Sequence, residues 1–446
     1  MKRSDWAPRS GGPRMPAHFV TTRHLSAAYP FVSEGELSHN GVLIGDDLFG
    51  GSFTFDPFAL YQSGQLSNPN IVIFGQIGRG KSALIKTYLW RQAVFGRRAW
   101  IVDPKGEYSP LATAWGSTPV ALRPGSSVRL NPLDTRPWKK VVHGSSPNED
   151  VPAMTTLVPG GDATHAIALL SSLATACMRR ELAPRERVAV ELAYVNCSSL
   201  DRVPTLPRVV EALLDPTEAS AKNVRTSRAQ LLEDGRDVAL ELRRLVSGDL
   251  RGMFDGPTTP GIDLGGPLVV LDLSSLYNSP ALGVLMVCAA AWLQATLPTT
   301  DDQAEVSGPV TLVVDEAWAI LTHLGIAKWL QSSWKLSRAY GISNVAILHR
   351  ISDLNSVGHA GSQEVGLAHG LLSDSETCIL YAQPPAEVKN ARDILGLSTT
   401  EAELLPRLRR GVALWKVGRR SFLVQHLLSS IERNLVYTDG AMDPPR

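Results

Sequence analysis

The sequence is poor in cysteine, with four residues in a chain of 446. Cys177, Cys197, Cys288 and Cys378 lie far apart, and none belongs to a C-x-x-C pair or to a Cys/His pattern. This spacing argues against a zinc site. Widely scattered cysteines in a long chain are typical of reduced, buried thiols, so we expect a cytosolic protein without structural disulfides.

Long apolar segments are also lacking. The basic residues of the first 16 positions are not followed by an apolar run, so no signal peptide is expected. The longest apolar stretch, residues 281–297, is shorter than a membrane span and contains Gln294, which favours a buried helix. We therefore expect no integral membrane segment and a cytoplasmic location, at most peripheral at the inner face of the cell membrane.

An excess of charge of either sign is missing as well. Lys and Arg total 44 against 43 Asp and Glu, a formal net charge of +1. Any binding to nucleic acid or to a membrane surface must therefore come from a local patch. Hydrophobic residues make up 44% and charged residues 20% of the chain, which is typical of a soluble globular protein of one large or several ordinary domains.

The strongest motif present is GQIGRGKS, which matches the phosphate-loop pattern G-x-x-x-x-G-K-[ST] at every fixed position. An apolar strand precedes it and a periodic helix follows, as the motif requires. Lys81 would reach the β- and γ-phosphates of ATP, and the Ser82 hydroxyl would ligate Mg²⁺. The backbone that cradles the phosphates comprises Gly75, Gln76, Ile77, Gly78, Arg79, Gly80, Lys81, Ser82 and Ala83.

A second acidic motif, TLVVDEAW, ends a buried strand with Asp315 and Glu316. This is the pattern of a Walker B site, in which Asp315 would belong to the magnesium shell and Glu316 would polarise the attacking water. The alternative is a helix N-terminus with acidic capping residues. Asp272 ends another apolar run, but it has no second acid beside it.

Alternating strand and helix patterns predict an α/β fold: a RecA-like P-loop NTPase core with a mostly parallel sheet, a helical insertion and a C-terminal β-hairpin. Strands are predicted at residues 71–74, 99–103, 268–273, 310–315, 344–348 and 377–381. Helical periodicity dominates residues 163–250. The predicted divisions are a basic arm (1–16), a β-rich lead-in (17–70), the first core part (71–135), a loop and helical insertion (136–255), the second core part with the hairpin (256–433) and a tail (434–446).

Further candidates are less distinctive. His349 ends a strand and could sense the γ-phosphate, although a lone histidine is often structural. Arg338 could act across a subunit interface as an arginine finger or lie on a solvated helix face, and Lys335 and Arg350 are weaker choices. The segment 103–108 (DPKGEY) is expected near the nucleotide, as a turn with a helix cap, or both.

A basic stretch lies near the C-terminus. Residues 404–430 contain no acid and could contact DNA, a partner or a lipid surface, or form a solvated hairpin face. Its cations are Arg407, Arg409, Arg410, Lys416, Arg419 and Arg420.

Together these segments resemble the conjugative-transfer ATPases of type IV secretion systems, the VirB/TraC-type motors of the HerA/FtsK group. The resemblance covers about residues 40–430. It rests on the P-loop, on TLVVDEAW and on four other segments: residues 41–58, IVDPKGEY (101–108), RLNPLD (129–134) and residues 249–276. The family's Walker B acids correspond here to Asp315 and Glu316, and its interfacial arginine corresponds to Arg338. Its phosphate-loop residues correspond to Gly75, Gly78, Gly80, Lys81 and Ser82. Many members have Gln at the position of His349.

The resemblance implies a hexameric, magnesium-dependent ATPase that powers the transfer of DNA or protein across the cell envelope. DNA and secretion-machinery proteins are therefore its expected partners. Two alternatives remain open: a HerA/FtsK-like DNA translocase without a secretion role, and a scaffold that binds ATP but hardly turns it over. Stimulation of the ATPase by duplex DNA would favour the translocase, whereas an intact Glu316 argues against the scaffold.

Overall fold

A large mixed sheet organises the chain. The computed structural model describes residues 37, 40–134, 161–178, 180–200, 203–248, 250–260, 262, 266–277, 279, 282, 285–286, 309–321, 330–331, 334–335, 337–338, 341–354 and 363–437. The predicted basic arm, most of the 136–162 loop and most of the apolar stretch 281–297 lie outside these residues. Within the described part of the chain, no helix is long and apolar enough to cross a membrane.

The sheet has 11 strands in the order β2-β1-β11-β10-β9-β3-β8-β7-β4-β6-β5. Strands β9 to β5 in this order are parallel, whereas β2, β1, β11 and β10 are joined in antiparallel pairs. The strands are β1 (Val42–Asp47), β2 (Ser52–Phe55), β3 (Ile71–Phe74), β4 (Arg98–Asp103), β5 (Val120–Ala121), β6 (Leu268–Asp272), β7 (Val310–Val314), β8 (Ile342–Leu348), β9 (Thr377–Leu380), β10 (Val412–Val417) and β11 (Arg420–His426).

The helices cover both faces of this sheet. They are α1 (Pro57–Gln62), α2 (Lys81–Gln92), α3 (Ser109–Ala114), α4 (Gly161–Met178), α5 (Pro184–Leu200), α6 (Leu206–Leu214), α7 (Glu218–Asn223), α8 (Arg228–Ser247), α9 (Ala317–Leu321), α10 (Gln363–Ser373), α11 (Val388–Leu395), α12 (Thr399–Leu404) and α13 (Ser430–Val436). Short 3₁₀ turns lie at Ala93–Phe95, Ser274–Leu276, Ile351–Leu354, Pro385–Glu387 and Leu405–Arg407.

The central strands are buried on both faces, as expected for parallel strands between helical layers. Along β3 the side chains alternate between two cores. Val72 and Phe74 belong to the core that also includes buried residues of α4, α5, α6 and α8. Ile71 and Ile73 pack in the opposite core, which includes Leu84 of α2. The fully apolar strand β3 is therefore held between two packed layers, which fixes the point where the following loop begins.

The strand patterns agree with the predicted α/β fold. The predicted core strands are present within two residues of their expected ends, and residues 163–250 are helical with short connections. The lead-in supplies strands β1 and β2, which extend the main sheet through β11. Strand β5 was not predicted, because two residues are too few to show a periodicity.

Candidate active site

The phosphate loop connects β3 to α2, and its shape requires glycine at two positions for different reasons. Gly80 caps α2 with φ of 115°, a left-handed angle that other residues rarely adopt. Gly75 has an ordinary angle but no space, because an added Cβ would lie 2.5 Å from Cβ of Tyr381. The remaining loop residues have exposed or half-buried side chains, with Ile77 79% exposed. A glycine-rich loop of this kind binds an anion through its backbone N–H groups.

Lys81 is buried at the start of α2 and folds back over the loop. Its Nζ donates to the carbonyl oxygens of Gly75 (2.5 Å) and Gln76 (3.2 Å) and lies 3.4 Å from Nδ1 of His349. Burial lowers the pKa of Lys81 to about 8, although the nearby carboxylates of Asp315 and Glu316 act in the opposite direction. An anionic phosphate in this position would favour the charged amino group, so the site suits a polyphosphate ligand.

Asp315 follows β7 directly and is 4% exposed. Its carboxylate accepts hydrogen bonds from the backbone N–H of Glu316 (2.9 Å) and the hydroxyl of Tyr108 (3.1 Å). Burial, and then the neighbouring Glu316, raise the pKa of Asp315 to about 6. A divalent cation would stabilise the ionised form, so the donor chemistry fits Mg²⁺.

The described residues offer no cluster of three or more His, Cys, Asp or Glu side chains that could hold a metal. A cation at Asp315 would therefore depend on further oxygen ligands from a hydroxyl, phosphate or water. Mg²⁺ is commonly bound in this way, through one or two protein oxygens plus substrate phosphates. The half-buried Ser82, next to Lys81, carries a hydroxyl at the start of α2 and fits this requirement.

Glu316 is a buried carboxylate that three side chains contact. It is 2% exposed, and its carboxylate contacts Nε2 of His349 at 2.8 and 3.0 Å. Lys105 forms an ion pair with it, and the indole N–H of Trp318 donates to it. Burial acts to raise the pKa of Glu316, but the contacts with His349 and Lys105 outweigh burial and lower the pKa to about 2. The carboxylate is therefore ionised and fixed in direction.

The strand order explains how these groups meet. Neighbouring parallel strands β3, β8, β7 and β4 end at the same edge of the sheet and are followed by the phosphate loop, His349, the Asp315–Glu316 pair and Lys105. His349 contacts both Lys81 and Glu316, and its backbone oxygen accepts from the N–H of Gly75 (3.2 Å). These contacts thus form one continuous series that links the ends of four strands.

The DPKGEY segment forms a tight turn after β4. Buried Asp103 accepts hydrogen bonds from the backbone N–H groups of Lys105 (3.1 Å), Gly106 (2.8 Å) and Tyr108 (2.9 Å). The same turn aims Lys105 at Glu316 and Tyr108 at Asp315. The two interpretations of this segment, a turn and a neighbour of the site, therefore describe one structure. Sequence reasoning missed these two individual contacts, which the adjacency of β4 and β7 would have indicated.

Arg338 does not join this group of side chains. It is exposed and lies shortly before Gly341, whose carbonyl accepts from the N–H of Val310 at the start of β7. This is the edge of the sheet opposite the phosphate loop. Arg350, by contrast, follows His349 at the phosphate-loop edge and is exposed. Any contribution of Arg338 to a nucleotide site must therefore concern a neighbouring chain.

The basic C-terminal stretch also divides between the two edges. Strand β10 is antiparallel to β9, so Arg409 and Arg410 precede it at the phosphate-loop edge. Lys416, Arg419 and Arg420 lie at the other end of the hairpin. The six cations therefore do not form one continuous patch.

Comparison with solved structures supports the fold. The chain is similar to VirB4 of Thermoanaerobacter pseudethanolicus, with a TM-score of 0.68 and 22% identity over 90% of this chain and 100% of that one. It is similar to the bacterial conjugative coupling protein TrwBdeltaN70, with a TM-score of 0.58 and 13% identity over 94% and 95% of the two chains. Plasmid coupling protein TrwB in complex with ADP and Mg²⁺ gives a TM-score of 0.55 and 14% identity over 81% and 86%.

No family model and no curated protein sequence matches the chain. The structural similarity covers 90% of this chain and the whole of the chain in the VirB4 structure. The chain therefore has the P-loop NTPase fold of VirB4 and TrwB, as the sequence resemblance implied. At these identities the similarity establishes the fold.

Proposed function

We propose that this protein is a magnesium-dependent ATPase motor, similar to those of conjugation and type IV secretion, that couples ATP hydrolysis to the transfer of DNA or protein across the cell envelope. The observation that carries the proposal is the chain of contacts from Lys81 through His349 to Glu316 at one sheet edge. It brings a lysine placed to bind phosphates close to a buried carboxylate suited to positioning water, and hydrolysis of a phosphoanhydride needs both kinds of group at one site.

Each site residue has a distinct role in this proposal. The backbone of residues 75–83 cradles the phosphates, and Lys81 exchanges its bonds to the loop carbonyls for bonds to phosphate oxygens. Ser82 and Asp315 would hold Mg²⁺, which would neutralise the charge that develops on the phosphates. Glu316 orients and polarises the attacking water. His349 lies between Lys81 and Glu316 and links occupancy of the phosphate site to the position of the carboxylate.

Glu316 must change partners before it can act. Its oxygens are engaged by Lys105, Trp318 and His349, and a carboxylate with a pKa of about 2 accepts a proton poorly. Binding of ATP would draw Lys81, and with it His349, toward the phosphates. Glu316 would then be able to accept a hydrogen bond from water.

We further propose that the working form is a ring of identical chains, expected to be a hexamer, with Arg338 reaching the nucleotide of a neighbour. Such a ring would act in the cytoplasm, in contact with DNA or with secretion proteins at the inner face of the membrane. A HerA/FtsK-like translocase without a secretion role shares the same core. The fixed, ionised Glu316 argues against a scaffold that binds ATP without turnover.

Steady-state ATPase rates test the proposal. We expect Lys81→Ala to lose nucleotide affinity and Glu316→Gln to bind nucleotide but lose at least about 100-fold in kcat. Lys222→Ala, an exposed change on α7, serves as the matched control and should keep the full rate. Stimulation by duplex DNA would point to a translocase. A wild-type chain that binds ATP without turnover at high protein concentration would overturn the motor proposal in favour of the scaffold.

A further inference from the structure

The strand order separates two sides of the phosphate loop. Strand β3 lies between β8 and β9, and the acidic residues of the site belong to the β8 and β7 side. Lys81 points to that side, with Nζ 3.4 Å from Nδ1 of His349. In the proposed function the terminal phosphates of ATP meet these groups. The nucleoside at the other end of the molecule must then extend toward β9, β10 and β11.

A turn immediately before β10 lies against the phosphate loop on this second side. The N–H of Gly411 donates to the carbonyl oxygen of Arg79 at 3.0 Å. The Cα of Gly411 lies 3.7 Å from the position that a Cβ on Gly80 would occupy. The carbonyl oxygen of Gly411 in turn accepts from the N–H of His426 at 2.8 Å. The turn is therefore fixed between the phosphate loop and the end of β11.

Gly411 makes this close approach possible. Its φ of 79° lies in the left-handed region, and an added Cβ would lie 3.1 Å from Nε2 of Gln425. The two residues before it, Arg409 and Arg410, are exposed at the same edge.

Guanidinium groups suit a nucleoside for two reasons. Their planes stack on aromatic rings, and their N–H groups donate to ring nitrogens and to hydroxyl and carbonyl oxygens. The other hairpin cations, such as Arg419, lie roughly 20 Å away along the strands and cannot contribute to the same ligand. The position of Arg409 and Arg410, not the basic character of the hairpin as a whole, is therefore what matters.

We propose that the turn of Arg409, Arg410 and Gly411 is the nucleoside-recognition surface of the ATP site in the same chain. This inference rests on the proposed nucleotide site. It adds to that site a nucleoside-binding surface that lies outside the phosphate-loop motif. It also removes Arg409 and Arg410 from any DNA-binding patch of the hairpin.

Competition binding experiments test this assignment by measuring the affinities of the chain for ADP and for inorganic pyrophosphate. The variants are Arg409→Ala, Arg410→Ala and the double change, with Arg419→Ala at the hairpin tip as the matched control. We expect the double variant to lose about 10-fold in ADP affinity, while pyrophosphate affinity and the Arg419→Ala variant stay within about twofold of wild type. Replacement of the pair by lysine should restore less than half of the lost affinity on a logarithmic scale, because the stacking plane is missing.

Four results would overturn the inference. An unchanged ADP affinity would show that the turn does not contact the nucleoside, and an equal loss of pyrophosphate affinity would place the arginines at the phosphates. A fall in kcat with normal ADP affinity would assign them to a neighbouring chain's site. Loss of duplex-DNA binding with normal ADP affinity would return them to a DNA surface. A wild-type chain that binds no ADP would instead contradict the nucleotide site itself.

Discussion

Glu316 has a backbone φ of 53°, an angle that a non-glycine residue rarely adopts. Such an angle costs about 1–3 kcal/mol and persists only where surrounding contacts impose it. Here the carboxylate is fixed by Lys105, Trp318 and His349. The backbone strain and the side-chain contacts therefore occur at the same residue. This combination is expected where function needs a side chain in one precise position.

We predict that Lys105 positions Glu316 without touching the nucleotide. Lys105→Met should lower kcat by about 10- to 100-fold, because a carboxylate displaced by about 1 Å orients water poorly. ADP affinity should stay within about twofold, since Lys105 lies beyond Glu316 as seen from the phosphate loop. Kinetic and binding measurements on the same protein preparation give the two values.

Lys105→Arg provides the control for this prediction, because it keeps a cation near Glu316 and should recover part of the rate. A variant Lys105→Met with wild-type kcat would show that His349 and Trp318 suffice to hold the carboxylate. Loss of ADP affinity in parallel with kcat would place Lys105 at the nucleotide and contradict a purely positioning role.

The sequence identified these candidate site residues because their spacing is local. Lys81 and Ser82 belong to one eight-residue motif, and Asp315 and Glu316 end one apolar run. The contact between Lys105 and Glu316 could not be predicted in the same way. It depends on β4 being the neighbour of β7, and hydrophobic periodicity shows that strands exist but does not give their order.

At the scale of elements, the central strands and the C-terminal hairpin of β10 and β11 were predictable, whereas the pairing of the lead-in strands with that hairpin was not. Strands such as β3 and β7 are short, fully buried runs with clear ends. The pairing of β1 with β11 joins Asp46 to Gln425, nearly the whole chain apart. Nothing in either segment identifies the other, so the lead-in strands could be recognised as strands but not assigned to the main sheet.

Gly45 tests this pairing. It lies at an irregularity of β1, and a Cβ there would lie 1.9 Å from the carbonyl oxygen of Gln425. Gly45→Ala should therefore push β1 away from β11 and lower the free energy of unfolding by about 1–3 kcal/mol. Urea unfolding gives the loss, and hydrogen exchange should show faster exchange in β1 and β11 than in β7.

Gly366→Ala is the matched control for this substitution. Gly366 lies in α10, and no described atom outside its own helix is close enough to meet an added Cβ. The change should be neutral or stabilising by up to about 1 kcal/mol, because alanine favours helix more than glycine. Equal stability of the Gly45→Ala protein and wild type would contradict the packing of β1 on β11.

The whole molecule has two chemically different edges. The phosphate loop, the acidic pair and the Arg409–Arg410 turn lie at one edge of the sheet, whereas Arg338 lies toward the other. A single chain cannot bring these edges together without dismantling β8. In a ring with head-to-tail contacts, however, one edge of each chain can face a different surface of the next. The geometry therefore makes a role for Arg338 depend on assembly.

Mixing two inactive chains measures this dependence. If Arg338 completes a neighbour's site, Lys81→Ala and Arg338→Ala should each abolish most ATPase activity alone. In an equal mixture, a site is complete when an Arg338→Ala chain supplies Lys81 and the adjacent Lys81→Ala chain supplies Arg338. Random assembly then restores up to about a quarter of the sites.

A mixture of Lys81→Ala with Glu316→Gln serves as the control, because both changes lie on the same side of the interface and should restore nothing. If rings are shown to contain both the Lys81→Ala and the Arg338→Ala chains and still have no ATPase activity, the assignment of Arg338 is wrong. Arg350 would then be the next candidate.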